Sequence, residues 1–304
     1  MRKRRSDIPF SEQIAEAGQF IEARIEDLSR ALPHPAPARL RESMLYSLTA
    51  GGKRLRPILC IKAAEVFGMP WEKSFPLALG FEMIHTGSLI QDDLPSMDND
   101  ELRRGKPTNH VIFGESLAIL AGDSLLAWAF EYPIARMVKA KIPYSRICRA
   151  TEILAKALGP FGLCGGQVLD TDPASMEDGD DFPFRVAAQK TGVLIAACLE
   201  GGAVIGGARR RAASAFRSYG MHLGIAFQIV DDILDVTSSA EELGKTPGKD
   251  AVLDRKTFVS VYGVEEAGRL ALSESKKAVD ALKIVGGDTA FFSEMADHLV
   301  ERTR

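Results

Sequence analysis

Apolar residues recur along this chain at the three- and four-residue spacing of helices, and short Gly/Pro breaks separate the runs. Over 11–31, Ile14, Ala17, Ile21, Ile25 and Leu28 share one face, and Ser11 is placed to cap it. Pro33, Pro35 and Pro37 then impose a loop; a helix begins near Arg39 and stops at Gly51-Gly52. Beyond it the pattern predicts helices over about 57–67, 74–94, 115–139, 144–158, 160–172, 182–206, 209–236, 254–262, 263–284 and 288–302. The central ones are apolar nearly all round, as helices inside a bundle are. No segment joins strand-period alternation to hairpin turn chemistry, so the expected fold is all-α. With neither a low-complexity linker nor a fixed-period repeat, residues 1–304 are expected to form a single domain, with 1–10 a flexible basic tail.

Composition narrows the function classes. Lys and Arg number 38 against 41 Asp and Glu, a formal charge of −3, which gives no general attraction to nucleic acid or an anionic membrane. Cys60, Cys148, Cys164 and Cys198 have no paired spacing and sit in apolar runs, the pattern of reduced thiols in an intracellular protein. Met1-Arg-Lys-Arg-Arg5 precedes polar sequence rather than an apolar signal core, and no uninterrupted apolar run approaches a membrane span. A cytoplasmic location is expected.

Two acidic stretches change the picture. In Gln91–Gly105 five acidic side chains fall within ten residues, at the end of a helix whose apolar side carries Phe81, Met83, Ile84, Leu89 and Ile90. Pro95 lacks an N–H, and it pushes Leu94 out of the helical region, so the helix should end near Leu94. Asp92 and Asp93 then crowd the negative pole of the helix, where each costs about 0.3–1 kcal/mol. In Gln228–Asp235, Asp231 and Asp235 share a face one turn apart beside Asp232, before Thr237-Ser238-Ser239 ends that helix. Two such clusters argue for hard divalent cations, and Mg²⁺ usually also takes substrate phosphate oxygens. A solvated acidic helix end is the plainer reading of either cluster alone. Asp98, Asn99 and Asp100 lack the glycine and glutamate offsets of an EF-hand. Facing helices of a bundle would bring the clusters together across a central cavity.

The cations are local too. Gly51-Gly52-Lys53-Arg54-Leu55-Arg56-Pro57 sets three of them between a glycine pair and a proline that starts the next helix; its glycine spacing is not that of a P-loop. Arg103, Arg104 and Lys106 follow the first acidic cluster, and Lys245, Lys249 and Lys256 the second. Lys190 interrupts an apolar stretch and so wants a partner. Carboxylates for metals, with cations for several phosphates and an apolar bundle behind, indicate greasy diphosphate substrates.

Gly51–Pro57, Asp92–Thr108, Gly165–Asp170, Gln189–Thr191, Phe227–Asp235 and Gly244–Asp250, in this order, resemble the bacterial and plastid-type trans-isoprenyl diphosphate synthases, the farnesyl and geranylgeranyl diphosphate synthases. The likeness spans about 40–262. It implies an isoprenoid synthase-type bundle, a homodimer, Mg²⁺ (three ions, with Mn²⁺ able to substitute), and isopentenyl and allylic diphosphates as substrates. By position, Asp92, Asp93 and Asp98 resemble the family's first metal-binding motif and Asp231, Asp232 and Asp235 its second. Lys53, Arg56, His85 and Arg104 fall where the family binds isopentenyl diphosphate; Arg103, Lys190, Thr191, Gln228 and Lys245 fall where it binds the allylic diphosphate. Gln167 and Asp170 would support the lysines, an ordinary polar helix face being the other reading. Gln91 departs from the histidine the family often has there.

The implied chemistry is loss of the allylic diphosphate toward a carbocation, attack by the alkene of isopentenyl diphosphate, and loss of a proton, with released diphosphate as the implied base. Gly87, five residues before Asp92 and thus about 7.5 Å further from the diphosphate, stands beside Ser88 where farnesyl synthases of this type carry an aromatic floor. A deeper tunnel and a twenty-carbon product are expected, although close helix packing equally explains a glycine. A farnesyl synthase is the alternative. A terpene cyclase would not need Lys53 and Arg56, and a non-catalytic partner subunit would be expected to have lost one acidic cluster.

Overall fold

The structure, a computed structural model, describes residues 8–31, 36–172, 175, 179–237 and 256–301. Helices α1 (Phe10–Ala31), α2 (Ala38–Leu48), α3 (Leu55–Glu65) and α4 (Trp71–Asp92) precede a short loop that leads to α5 (Asn109–Phe113). The chain continues through α6 (Glu115–Lys139), α7 (Tyr144–Leu158), α8 (Leu163–Thr171) and α9 (Phe182–Val186). A π turn over Ala187–Gly192 joins α9 to α10 (Val193–Gly206), and α11 (Arg210–Thr237), α12 (Phe258–Leu282) and α13 (Ala290–Glu301) complete the described chain. The all-α expectation holds, and 115–139 and 144–158 match residue for residue. Buried Phe81, Met83 and Ile84 of α4 join Leu194, Leu199 and Ile205 of α10 and Tyr219, Leu223 and Ile229 of α11 in one apolar core.

Ser11 does not cap α1. The helix starts at Phe10, with the Gln13 N–H donating to the Pro9 carbonyl, so Ser11 lies inside the first turn. Strands β1 (Leu102–Arg103) and β2 (Lys106–Pro107) form a small antiparallel hairpin that the pattern did not announce. Its two-residue turn is Arg104-Gly105, both at positive φ (54° and 73°), the geometry of a type I′ turn. Gly105 takes that conformation at no cost, while Arg104 is held there by its side chain.

The helix expected over 182–206 is interrupted by its π turn, and close packing from two sides accounts for it. A Cβ on Gly166 of α8 would stand 2.3 Å from the Lys190 nitrogen, and one on Gly224 of α11 would stand 2.5 Å from the Gly192 Cα. The widened turn is the backbone's fit between these neighbours, and such turns often mark functional sites. The predicted helix over 254–262 begins partly outside the described residues. Within them Thr257 and Ser260 form a reciprocal cap on α12, and Gly263 (φ 76°) breaks the helix where the expected boundary fell.

Glu115–Lys139 and Phe182–Gly206 are long and apolar enough to cross a membrane by length and composition, which the sequence reading did not anticipate. The second has 72% of its most apolar window buried, as a core helix does; the first has 33%, leaving an apolar face uncovered.

Candidate functional site

Helix α4 ends at Asp92, with Asp93 as its C-cap, and the chain then folds back on the helix's last carbonyls. Asp98 N–H donates to the Asp92 carbonyl at 2.9 Å and Asp100 N–H to the Asp93 carbonyl at 3.2 Å. These bonds satisfy carbonyls that the helix end leaves unpaired and bring Asp98 beside Asp92. Burial pushes the Asp92 carboxyl up to about 6; Lys190 pulls it down, while Asp98 and Asp93 add to the rise. Its carboxylate makes no hydrogen bond among the described residues. Asp93 differs, for Arg103 Nε donates to both its oxygens, at 2.7 and 2.9 Å, and Arg103 Nη2 lies 2.5 Å from Oδ1. Asp93 is 3% exposed and its charge is spent on that guanidinium.

Across from this end lies the loop before α3. Gly52 (φ 128°) holds a backbone conformation that would strain any side chain, and a Cβ there would displace the Arg104 guanidinium, whose carbon lies 2.6 Å from its position. Arg104 in turn donates to the Gly51 carbonyl. Arg54 (φ 47°) sits immediately before the helix. Its side chain binds Glu22 of α1 (2.7 Å), Glu82 of α4 (2.6 Å) and the Leu48 carbonyl (2.8 Å). Arg56 is the contrast, since its Nε is buried without a partner. Burial pushes its pKa down, with Cys198, Glu82 and Asp231 acting the other way. His85 lies well below its usual range, from burial first and then Arg56, Arg104, Arg103 and Arg54, so it is neutral at pH 7.

The π turn supplies the other cation. Lys190 Nζ is 2.5 Å from Asp170 Oδ2 of α8, the support expected of Asp170. Among the described residues Gln167 makes no such contact, and its buried Nε2 has no partner. Thr191 donates to Gln228 Oε1, Gln228 Nε2 donates to Asp232 Oδ1, and the Phe258 N–H at the start of α12 donates to Asp232 Oδ2, each at 2.9 Å. Asp232, 6% exposed, thus links Gln228 to the start of α12. A small cavity of about 80 Å³ is lined by Asp170, Lys190, Gln228, Asp232, Lys256 and Phe258. The expected residue Lys245 lies outside the described residues.

Gly87 is buried against α6: a Cβ there would lie 3.1 Å from Leu126 Cδ2 and 3.2 Å from the Gly122 carbonyl. Close helix packing explains this glycine directly. Ser88 donates to the His85 carbonyl, and Gln91 donates to Asp123 of α6 at 3.3 Å.

The expected residues thus gather from α3, α4, the hairpin, the π turn and α11, with Lys190 acting on Asp92 and Asp231 acting on Arg56. Among the described residues no three His, Cys, Asp or Glu form a ready metal cage. That suits Mg²⁺, which is held by one or two carboxylates with waters and phosphates completing its shell. The raised Asp92 carboxyl beside Asp98 is a carboxylate pair that a divalent cation would stabilise, so the residues fit the ion. Sequence reasoning took Arg54 only as one of three loop cations and missed Glu22 and Glu82; the signal for Glu82 was a lone acid in the apolar run 75–84.

Known proteins resemble this chain over most of its length. The family model described as polyprenyl synthetase matches residues 37–283. A geranylgeranyl diphosphate synthase of Cyanophora paradoxa is 44% identical over 261 residues, covering 84% of this chain and 86% of that protein. The heterodimeric geranylgeranyl pyrophosphate synthase large subunit 1, chloroplastic, of Arabidopsis thaliana is 44% identical over 258 residues, 84% of this chain and 70% of its own. The crystal structure of geranylgeranyl pyrophosphate synthetase from Pyrococcus horikoshii Ot3 superposes with a TM-score of 0.84 at 31% identity, covering 96% and 99% of the two chains.

Proposed function

The chain belongs to the polyprenyl synthetase family, and from that premise we propose that it is a Mg²⁺-dependent trans-prenyltransferase joining isopentenyl diphosphate to an allylic diphosphate, with geranylgeranyl diphosphate as product. The observation that supports it best is the presence of two cation sets beside two acidic helix ends. Arg56, with its unpaired buried Nε, and Arg104 stand on one side; Arg103 and Lys190 stand on the other. A single-diphosphate enzyme needs only one such set.

Asp92 and Asp98, with Asp231 and Asp235 across the site, are the residues assigned to Mg²⁺, three ions being the expected count and Mn²⁺ a substitute. Bound there, the metal would neutralise the departing allylic diphosphate. Asp93 and Asp232 orient rather than ligate: one holds Arg103 toward the allylic diphosphate, the other fixes the Gln228–Thr191 pair. Lys190, seated by Asp170, adds positive charge where the leaving group develops negative charge. Neutral His85 offers a donor to the second diphosphate together with Lys53, Arg56 and Arg104. No side chain is assigned as base, and the released diphosphate takes the proton.

Val111 and Ile112 of α5 and Ile119 and Leu120 of α6 expose large apolar side chains, which supports a homodimer built on that face. Light scattering of the purified protein gives the oligomer directly, one protomer mass being the contrary result. The decisive assay supplies Mg²⁺, isopentenyl diphosphate and allylic diphosphates of increasing length, with products sized by chromatography. Twenty-carbon product is expected, and no chain elongation from any starter would end the reading. Gly87→Tyr is expected to shorten the product by driving an aromatic ring against Leu126; unchanged length would remove Gly87 from chain-length control.

A further inference from the structure

Arg54 lies between two residues assigned to the isopentenyl diphosphate, yet its own guanidinium is spent on protein. It is 3% exposed, makes a two-pronged contact with Glu22 (2.7 and 3.3 Å), and binds Glu82 at 2.6 Å and the Leu48 carbonyl at 2.8 Å. Its backbone takes a left-handed conformation that costs a non-glycine residue energy unless the surroundings enforce it. Glu82 is 2% exposed, within the apolar run Phe75–Ile84 of α4. It also acts electrostatically on Arg56 and Arg104, so three guanidiniums stand within the field of one buried carboxylate. Among the described residues Arg54 is the one hydrogen-bonded to it, and Arg56 retains a buried Nε with no partner.

We propose that Arg54 is a positioning residue that saturates Glu82, so that Arg56 stays an uncommitted donor for the diphosphate of isopentenyl diphosphate. Without Arg54, Glu82 is left as a buried carboxylate without its guanidinium, a costly state that draws on Arg56, whose guanidinium already lies in its field. Arg56 would then be captured by protein and lost to substrate. Lysine cannot replace the fork, because it lacks the planar donors that reach Glu22, Glu82 and the Leu48 carbonyl together.

The inference rests on the reading of Arg56 given above, and the test separates the two. KM for isopentenyl diphosphate and for the allylic diphosphate is measured in Arg54→Met, Glu82→Gln and the Arg54→Met/Glu82→Gln pair, with circular dichroism as the check on folding. In Arg54→Met the KM for isopentenyl diphosphate is expected to rise about tenfold or more, the worth of one hydrogen bond to a charged group, with the allylic KM nearly unchanged. Adding Glu82→Gln removes the competitor and is expected to restore most of that KM. A merely structural arginine would show no such rescue, so a double variant as poor as the single one overturns the proposal, as would equal rises in both KM values. Should Arg54→Met fail to fold, Arg54→Lys and Glu82→Gln carry the test: the first is expected to raise the isopentenyl KM and the second to leave it unchanged, and the opposite pattern refutes the idea. Arg56→Ala with an unaltered isopentenyl KM would instead defeat the assignment of Arg56 itself.

Discussion

The C-terminal ends of α4 and α11 carry the same sequence device, a pair of adjacent aspartates with a third acid a few residues on, and the structure uses the two differently. At the end of α4 the second aspartate, Asp93, is neutralised by a guanidinium, and the following loop folds back on the helix that precedes it. At the end of α11 the second aspartate, Asp232, accepts from the Gln228 amide and from the N–H of Phe258, and so ties down a helix that starts 26 residues away in sequence. Both ends set the second carboxylate to internal duties. The difference lies in what each holds: a charged arm in one case, a helix start and a side-chain amide in the other. Adjacent identical residues therefore divide labour according to which face of the helix each occupies.

Removing the first aspartate of either pair should break the symmetry of the comparison least and function most. Asp92→Ala and Asp231→Ala are each expected to cut kcat about 10³-fold or more with the melting curve preserved; near-normal turnover in either would remove that residue from the metal site.

Metal-free protein should next tell the two ends apart by pH. Asp92 has its folded pKa raised to about 6 from 3.8, so the folded state binds more protons than the unfolded one between those values. Stability of metal-free protein should consequently fall as pH rises from about 4 to 6, by at most about 3 kcal/mol from this group. Asp92→Asn should flatten that slope and stabilise the metal-free protein at pH 7. Thermal melts across the range check it, and an unchanged slope in the variant contradicts the assignment.

A smaller effect sharpens the contrast. Asp232→Asn turns one acceptor into a donor facing a donor, so about 1–3 kcal/mol of stability should go even without metal. Its Mg²⁺ half-saturation should stay near wild type while the allylic KM rises. Asp93→Asn should likewise spare the Mg²⁺ requirement, but through loss of Arg103's fork. A large increase in the Mg²⁺ requirement of either variant would return that aspartate to the metal shell. Smallest of all, Thr191→Val removes a single neutral hydrogen bond and is expected to shift the allylic KM only a few-fold, about 1 kcal/mol.

Much of this was legible in the sequence. Helical periodicity located α6 and α7 to the residue because their apolar faces are regular and their ends are marked by Gly114 and Pro143 before them and Gly159 after. The acidic clusters and the loop at Gly51-Gly52 stood out by composition alone. Hidden features shared one property, dependence on partners distant in the chain. The π turn answers to Gly166 and Gly224, on two other helices. The bond that ties Asp232 to the start of α12 could not be read locally because the backbone N–H that donates it belongs to another helix. Arg54 looked like one more phosphate cation because Glu22 and Glu82 lie 32 and 28 residues away. Glu82 could have been found by the logic that singled out Lys190, since a lone charge in an apolar run demands a mate.

The widened turn at Ala187–Gly192 has a further consequence for how this chain can vary. A π turn holds one residue more than regular winding needs, and each helical residue advances the face by about 100°. Deleting any single position inside it would let 182–206 wind as an unbroken rod, swinging Lys190 and Thr191 out of alignment while Leu194 and Ile195 kept their seats. The reach of that lysine thus hangs on chain length at one spot, a quantity that substitution leaves intact and a three-base deletion erases.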